Sequence, residues 1–139
     1  MNVSYHELSI STKVENDMVD ITNDIQKHIS TSTLKDGIAC VFVPGSTGTI
    51  TTVEYEPGLQ KDVPRALEHI APKNIPYDHH ETWHDDNGRS HVKATLMGPG
   101  ITIPFKDKKL IHGTWQQIIF MELDTRPRKR TIIIQLIGE

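Results

Sequence analysis

Two runs near the C-terminus, Ile118-Ile119-Phe120-Met121 and Ile132-Ile133-Ile134, are apolar at every consecutive position. Successive side chains of a strand point to opposite faces, so a strand written this way leaves no face for water. The pattern suggests a two-layer sandwich or a strand buried against a partner subunit.

Further strands are available to complete such a sandwich. Val3 to Ser11 alternates polar and apolar residues, and Ile38 to Val43 is a nearly unbroken apolar run of the kind covered on both sides. Thr47 to Glu54 is rich in threonine and β-branched residues. His91 to Leu96 alternates with period two, which predicts a strand with Val92, Ala94 and Leu96 facing inward. Gly98-Pro99-Gly100 turns the chain into Ile101–Phe105, and Lys106–Lys109 reads as a hairpin tip. Thr114–Leu123 and Thr131–Ile137 form the last pair, joined by Asp124–Arg130.

Two segments have helical spacing. Val14 to Ile29 carries Met18, Ile21, Ile25 and Ile29 on one side; Leu59 to Ile70 follows Pro57-Gly58, with Asp62 as the expected N-cap and Pro64 in the first turn. Tyr77 to Ser90 is polar and is expected to be a loop. Strands that succeed one another through short turns favour antiparallel pairing. The expected class is mainly β to α+β: an antiparallel sandwich with two flanking helices, as a single domain over residues 1–139.

Composition narrows the partners. A formal net charge of -3 argues against general nucleic-acid affinity, which needs a strongly basic face. No apolar stretch approaches the roughly 18 residues that span a bilayer. Met1 to Glu7 lacks the basic and apolar regions of a signal peptide, so a reducing cytoplasm is expected. Cys40, the only cysteine, sits in the apolar run Ile38–Val43 and reads as a small buried hydrophobe; a reactive thiolate would need a cationic, partly exposed setting.

Chemistry gathers between Tyr77 and His91. That stretch holds His79, His80, His84 and His91 together with Glu81, Asp85 and Asp86. Imidazoles and carboxylates are the ligands zinc and similar divalent ions prefer, although the spacing matches no zinc-finger or zincin pattern. The bland alternative is a solvated loop whose histidines bond to backbone. His112, in Leu110-Ile111-His112-Gly113, reads as a packing histidine in a strand or a site residue, and His6, His28 and His69 fit surface positions. Gly45-Ser46-Thr47-Gly48-Thr49 is either a hairpin turn or a nest offering N–H groups and hydroxyls to a phosphate. Glu54 lies on the following strand as a candidate acid or base. Arg126-Pro127-Arg128-Lys129-Arg130 is a solvated turn or a phosphate clamp. Trp115 would supply a flat apolar face, and Gln116 an amide able to read the edge of a heterocycle.

These blocks, in their order, resemble the YjbQ family, named for a secondary thiamine-phosphate synthase activity. The resemblance rests on Pro44 to Pro57, Tyr77-x-His79, Asn87 to Ala94, Leu96 to Pro99, Gly113 to Ile118 and the closing Gly138-Glu139, and it runs from about Tyr5 to Glu139. It implies a jelly-roll-like β sandwich with flanking helices, assembled as a homotrimer. It implies joining of hydroxymethylpyrimidine diphosphate to a thiazole phosphate with release of pyrophosphate. His79 and His91 fall on the family's histidines, Glu54 on its acidic residue, and Trp115 and Gln116 on its signature. The chain departs from the pattern at Gly45, where much of the family has a histidine, and at Gly48, where it has alanine. The extra histidines His80 and His84 are candidates to complete a ligand set.

The expected protein is a small anion-handling enzyme with its site at a subunit boundary. His79, His91 and Glu54 are the catalytic candidates; His79, His80, His84 and His91 would hold a divalent ion, zinc or magnesium. Ser46, Thr47, Arg126 and Arg128 would seat phosphate oxygens, with Trp115 and Gln116 against the heterocycle. Two rivals remain: a homotrimer that binds a metal or phosphometabolite without catalysis, and a hydrolase using a metal-bound water.

Overall fold

The structure is a computed structural model describing all residues from Met1 to Glu139. In chain order its elements are β1 (Asn2–Ser11), β2 (Met18–Asp20), α1 (Thr22–Thr31), β3 (Gly37–Phe42), β4 (Gly48–Val53), α2 (Leu59–Ile70), α3 (Asp78–Trp83), α4 (Gly88–Met97), β5 (Gly100–Lys106), β6 (Lys109–Leu110), β7 (Gln117–Glu122) and β8 (Lys129–Gly138). All pairing is antiparallel. One sheet runs β1-β8-β3-β5-β6 and the other β2-β7-β4.

The doubly apolar run of β7 finds cover on both sides within the chain. Ile118 and Phe120 face the core between the sheets, joined there by Ala39, Val41, Ile132, Ile134 and Leu136 of the larger sheet. Ile21, just before α1, and Ile25 and Ile29 within it, all fully buried, enter the same core. On the other face Ile119, Met121 and Leu123 meet Met18, Leu67 of α2 and Ala94 of α4. Each such side chain withdrawn from water contributes roughly 1.5–3 kcal/mol, which makes β7 the structural spine. The larger sheet has no helix on its outer face. Val3, Tyr5, Ile38 and Phe42 are each between 40% and 62% exposed there.

The α+β class and the antiparallel sheets match the expectation, and the helices number four instead of two. Ile38 to Val43 is covered on one side only: Ala39, Val41 and Val43 are buried, while Ile38 and Phe42 look outward. The last two long strands do not pair with each other, because β7 belongs to the small sheet and β8 to the large one. Val14 to Ile29 divides into β2 and α1. Met18 pairs with Met121, and helix formation starts only at Thr22, whose N–H and hydroxyl are held by Asp20 Oδ1 at 3.0 and 2.7 Å. In α2 the capping carboxylate is Glu56, which accepts from Gly58 N–H at 2.7 Å and Leu59 N–H at 2.5 Å. Asp62 pairs with Arg65 instead, and Pro64 lies inside the helix.

The largest correction concerns residues 77–97. The expected loop contains α3, ended by His84 in the left-handed region at φ 57°, and the expected strand His91–Leu96 is part of α4. Its inward set is Ser90, Lys93, Ala94 and the partly buried Met97, a helical i, i+3, i+4, i+7 row. Two of those four are polar, so an apolar count sees the accidental alternation and misses the helix. Val92 and Leu96, expected inside, are 39% and 61% exposed. His112 lies in the exposed β6–β7 loop, since β6 ends at Leu110.

Candidate functional site

One cavity, of about 390 Å³, opens where four segments meet: the loop after β3, the start of α4, the end of β7 and the start of β8. Its lining is mostly polar: Gly45, Ser46 and Thr47, then Asn87 and His91, then Asp124, Arg128, Lys129 and Arg130, with Pro44 and Thr131 also contributing.

The loop wall is made by backbone. Gly45 has φ 134°, a conformation open to glycine and strained for other residues. The N–H groups of Gly45, Ser46 and Thr47 have no hydrogen-bond partner in the chain. Three consecutive free donors along the cavity wall are the raw material of an anion nest.

The opposite wall hangs on a buried ion pair. Glu122 is fully buried; Arg130 donates to it through Nε at 3.0 Å and also through Nη2. Thr12 Oγ1 donates to the same carboxylate at 2.8 Å, and the Asp124 N–H does so at 3.2 Å. Arg130 Nη2 reaches Thr47 as well, at 3.2 Å to the carbonyl and 3.0 Å to the hydroxyl, and the guanidinium lies 5.5 Å above the Phe120 ring. Its Nη1 has no partner and would lie 3.4 Å from a Cβ placed on Gly45. One donor of a rigidly held cation is therefore left beside the nest.

Asp124 fastens the floor. It accepts from Arg128 Nη1 at 2.6 Å and from Thr47 Oγ1 at 3.2 Å, and Asn87 Nδ2 lies 3.4 Å away. Burial alone would raise its pKa, but the Thr125 N–H, Asn87 and Arg128 outweigh that and hold it below the ordinary value.

His91 stands at the mouth with His79 stacked on it, ring centroids 4.3 Å apart and planes tilted 47°. His79 Nε2 lies 3.4 Å from Asp85 Oδ1; were the Asn87 amide turned over, away from Asp124, its nitrogen would instead lie 2.8 Å from Asp85 and 3.1 Å from His79. Burial, and after it the neighbouring His79, lowers the His91 pKa; Asp85 and Asp124 oppose this without overcoming it. His91 is thus neutral at pH 7 and can donate or accept a proton at the cavity mouth. Arg89 anchors the start of α4 by a two-pronged contact with Glu15 at 2.9 and 3.0 Å.

Of the residues expected at the site, His91, Ser46, Thr47 and Arg128 line the cavity and His79 backs it. Arg126 is an exposed turn residue outside it. The four histidines do not make one ligand set. His79 and His80 are neighbours on a helix and so point about 100° apart. His80 pairs instead with His84 at 5.4 Å, and no three His, Cys, Asp or Glu side chains converge as metal ligands. The donor set does not fit a resident metal. Glu54, Trp115 and Gln116 sit at the far end of the small sheet, because Val53 pairs with Gln117 while Gly48 pairs with Glu122. Five residue steps along the strand carry the chain from Thr47 to Thr52, which is ~17 Å. Glu54 is exposed and Trp115 is 72% exposed. Gln116 uses its amide inside the loop, accepting from Gly113 N–H at 3.0 Å.

Sequence reading missed Asp124, Asn87 and Glu122 as site-forming residues. For Arg130 a signal was present: it has the same parity as Ile132, Ile134 and Leu136, so it had to point inward.

The fold and cavity define an α+β two-sheet protein with a cation-lined, anion-sized site between loop, helix start and strand start. The chain belongs to the YjbQ family: residues 6–139 match the family described as UPF0047 protein YjbQ-like. A UPF0047 protein of Methanocaldococcus jannaschii is 40% identical over 131 residues, covering 94% of this chain and 91% of the relative. Among solved structures, a protein of unknown function from Sulfolobus solfataricus superposes with TM-score 0.93 at 32% identity, covering 99% of each chain. A YjbQ/UPF0047 protein from Clostridium acetobutylicum does so with TM-score 0.86 at 35% identity, covering 95% of this chain and 99% of that one. No helix here is long and apolar enough to cross a membrane.

Proposed function

We propose that the cavity seats the phosphate or diphosphate of a small metabolite, and that the chain is a transferase of the secondary thiamine-phosphate synthase type. The observation that carries this reading is the row of free N–H groups at Gly45–Thr47 in one cavity with Arg128, Lys129 and Arg130. In that reaction the bond between the pyrimidine methylene carbon and the diphosphate oxygen breaks, its electron pair leaving with the diphosphate. The thiazole nitrogen's lone pair forms the new carbon–nitrogen bond. Charge builds on the leaving group, and pre-set donors stabilise it most effectively where they need not reorganise. The nest and the held guanidinium of Arg130 are such donors, and His91 hydrogen-bonds the departing oxygen.

Magnesium is ordinarily held by substrate phosphates and its own waters, with little from the protein. A diphosphate can bring it without the resident set that the histidines fail to make. The cavity has no apolar side chain in its lining other than Pro44, so the rings must be seated elsewhere. In a homotrimer the exposed Trp115 and Glu54 of a neighbouring copy would supply that surface at a subunit boundary. The uncovered outer face of the larger sheet supports self-association.

The deciding assay mixes purified protein with hydroxymethylpyrimidine diphosphate, thiazole phosphate and magnesium. Thiamine phosphate should form, and His91→Ala should slow it by about 100-fold. Equal rates would remove His91 from the mechanism. Retained phosphate binding with no product would leave a binding protein, and release of inorganic phosphate from simple phosphoesters would favour the hydrolase.

A further inference from the structure

The outward-facing side chains of β1 and β8 change character along the two strands. At one end Val3 lies opposite Ile137; at the other Ser9 lies opposite Thr131, and Ser11 opposite Lys129. These last four residues are all exposed. A cleft of about 430 Å³ opens there, bounded by Ser9, Ile10 and Ser11 of β1 and by Lys129, Arg130 and Thr131 of β8. The same three β8 residues line the phosphate cavity, so the two hollows meet at the start of that strand.

Side-chain hydrogen bonds on these strands come from Ser4, Tyr5 and Arg130, while the hydroxyls of Ser9, Ser11 and Thr131 and the Lys129 ammonium make none within the chain. Thr12, just past the end of β1, shows the contrast of a hydroxyl that serves the fold. It is buried, donates to Glu122 at 2.8 Å and accepts from the Arg128 N–H at 2.9 Å. A hydroxyl both donates and accepts, and cross-strand partners stand about 5 Å apart on a rigid ladder. Three open hydroxyls fixed in this way are complementary to the hydroxyls of a polyol. No carboxylate and no aromatic ring borders the cleft, so it offers nothing to a cation and no face to a flat ring.

We propose that the cleft holds the hydroxylated part of a sugar phosphate whose phosphate group occupies the cavity. The inference rests on the reading of the cavity as a phosphate seat and adds a ligand class to it. The phosphate meets the free N–H groups of Gly45–Thr47, and the Lys129 ammonium stands where the ester passes from one hollow to the other. The sugar hydroxyls then exchange hydrogen bonds with Ser9, Ser11 and Thr131.

The test is calorimetric titration of the full-length protein with ribose 5-phosphate and with propyl phosphate, which carries the same anionic group and no hydroxyl. Ribose 5-phosphate should bind about tenfold more tightly. In the double variant Ser9→Ala/Thr131→Val the two esters should bind alike, at the affinity propyl phosphate has for the wild type, which also reports that the cavity is intact. Ser11→Ala alone should cut the preference by about threefold, so the outcome does not hang on one variant. Equal affinity of the wild type for both esters, or a preference that survives in both variants, overturns the inference and leaves the phosphate seat standing. Failure of either ester to bind at all removes the seat, and this inference with it.

Discussion

Arg130 commits Nε and Nη2 to Glu122 and leaves Nη1 beside Gly45, so one side chain serves both stability and the cavity. Arg130→Met strands a carboxylate that is fully buried. Removing one partner of a buried pair costs about 3–5 kcal/mol. The variant should show that loss in urea denaturation and should lose phosphate affinity as well. A second residue-scale consequence concerns acid. His91 and His28 both have pKa values lowered from the ordinary 6.5, His91 by burial and His79, His28 by burial and the adjacent His6. A lowered histidine binds its proton more readily unfolded than folded, so the stability it supplies is fully present above pH 6.5 and is lost as pH falls toward the folded value. Denaturation midpoints should therefore decline on acidification below pH 6.5, and less steeply in His91→Gln. Residues were legible where type and parity agreed, as with Ile132 and Ile134; Arg130 shares their inward parity, but its charge set it in a solvated turn or clamp on the sequence alone. They were not where a partner arrives from far away in the chain, as Asp124 does for Thr47 and Arg128.

Strands were readable from their alternation and their apolar runs. β1 alternates in exposure from Val3 onward, although Val3 and Tyr5 face out while Ser4 and His6 are partly buried, and β7 is buried on both faces as written. Helix α4 was unreadable for the converse reason: its inward row includes Ser90 and Lys93, both essentially without exposure. Tertiary burial of polar residues overrode the pattern. On β4 the tightest point is Gly48, where an added Cβ would lie 2.6 Å from the Phe120 ring. Phe120 is itself fully buried and carries Arg130 above it, so it has little room to retreat. Gly48→Ala should destabilise by about 1–3 kcal/mol, the usual cost of overpacking, with a drop in thermal midpoint to match. A midpoint unchanged from wild type would mean that Phe120 yields freely.

At the scale of the molecule, the two-layer answer was written in the apolar runs, while the assignment of β7 and β8 to different sheets was not. Short connections suggest neighbours, and here Asp124 to Arg128 instead crosses from one sheet to the other and builds the cavity floor on the way. The outer face of the larger sheet sets the remaining expectation. If the homotrimer forms through Ile38, Phe42 and Val3, then Phe42→Glu should shift gel-filtration mass from trimer to monomer while leaving the circular dichroism unchanged. Cys40 stands at the centre of that face, half-buried, opposite Thr102 on one side and Gln135 on the other. As the chain's sole thiol it is a built-in reporter: alkylation should be slow at concentrations where copies shield one another and should quicken on dilution, with no label introduced from outside.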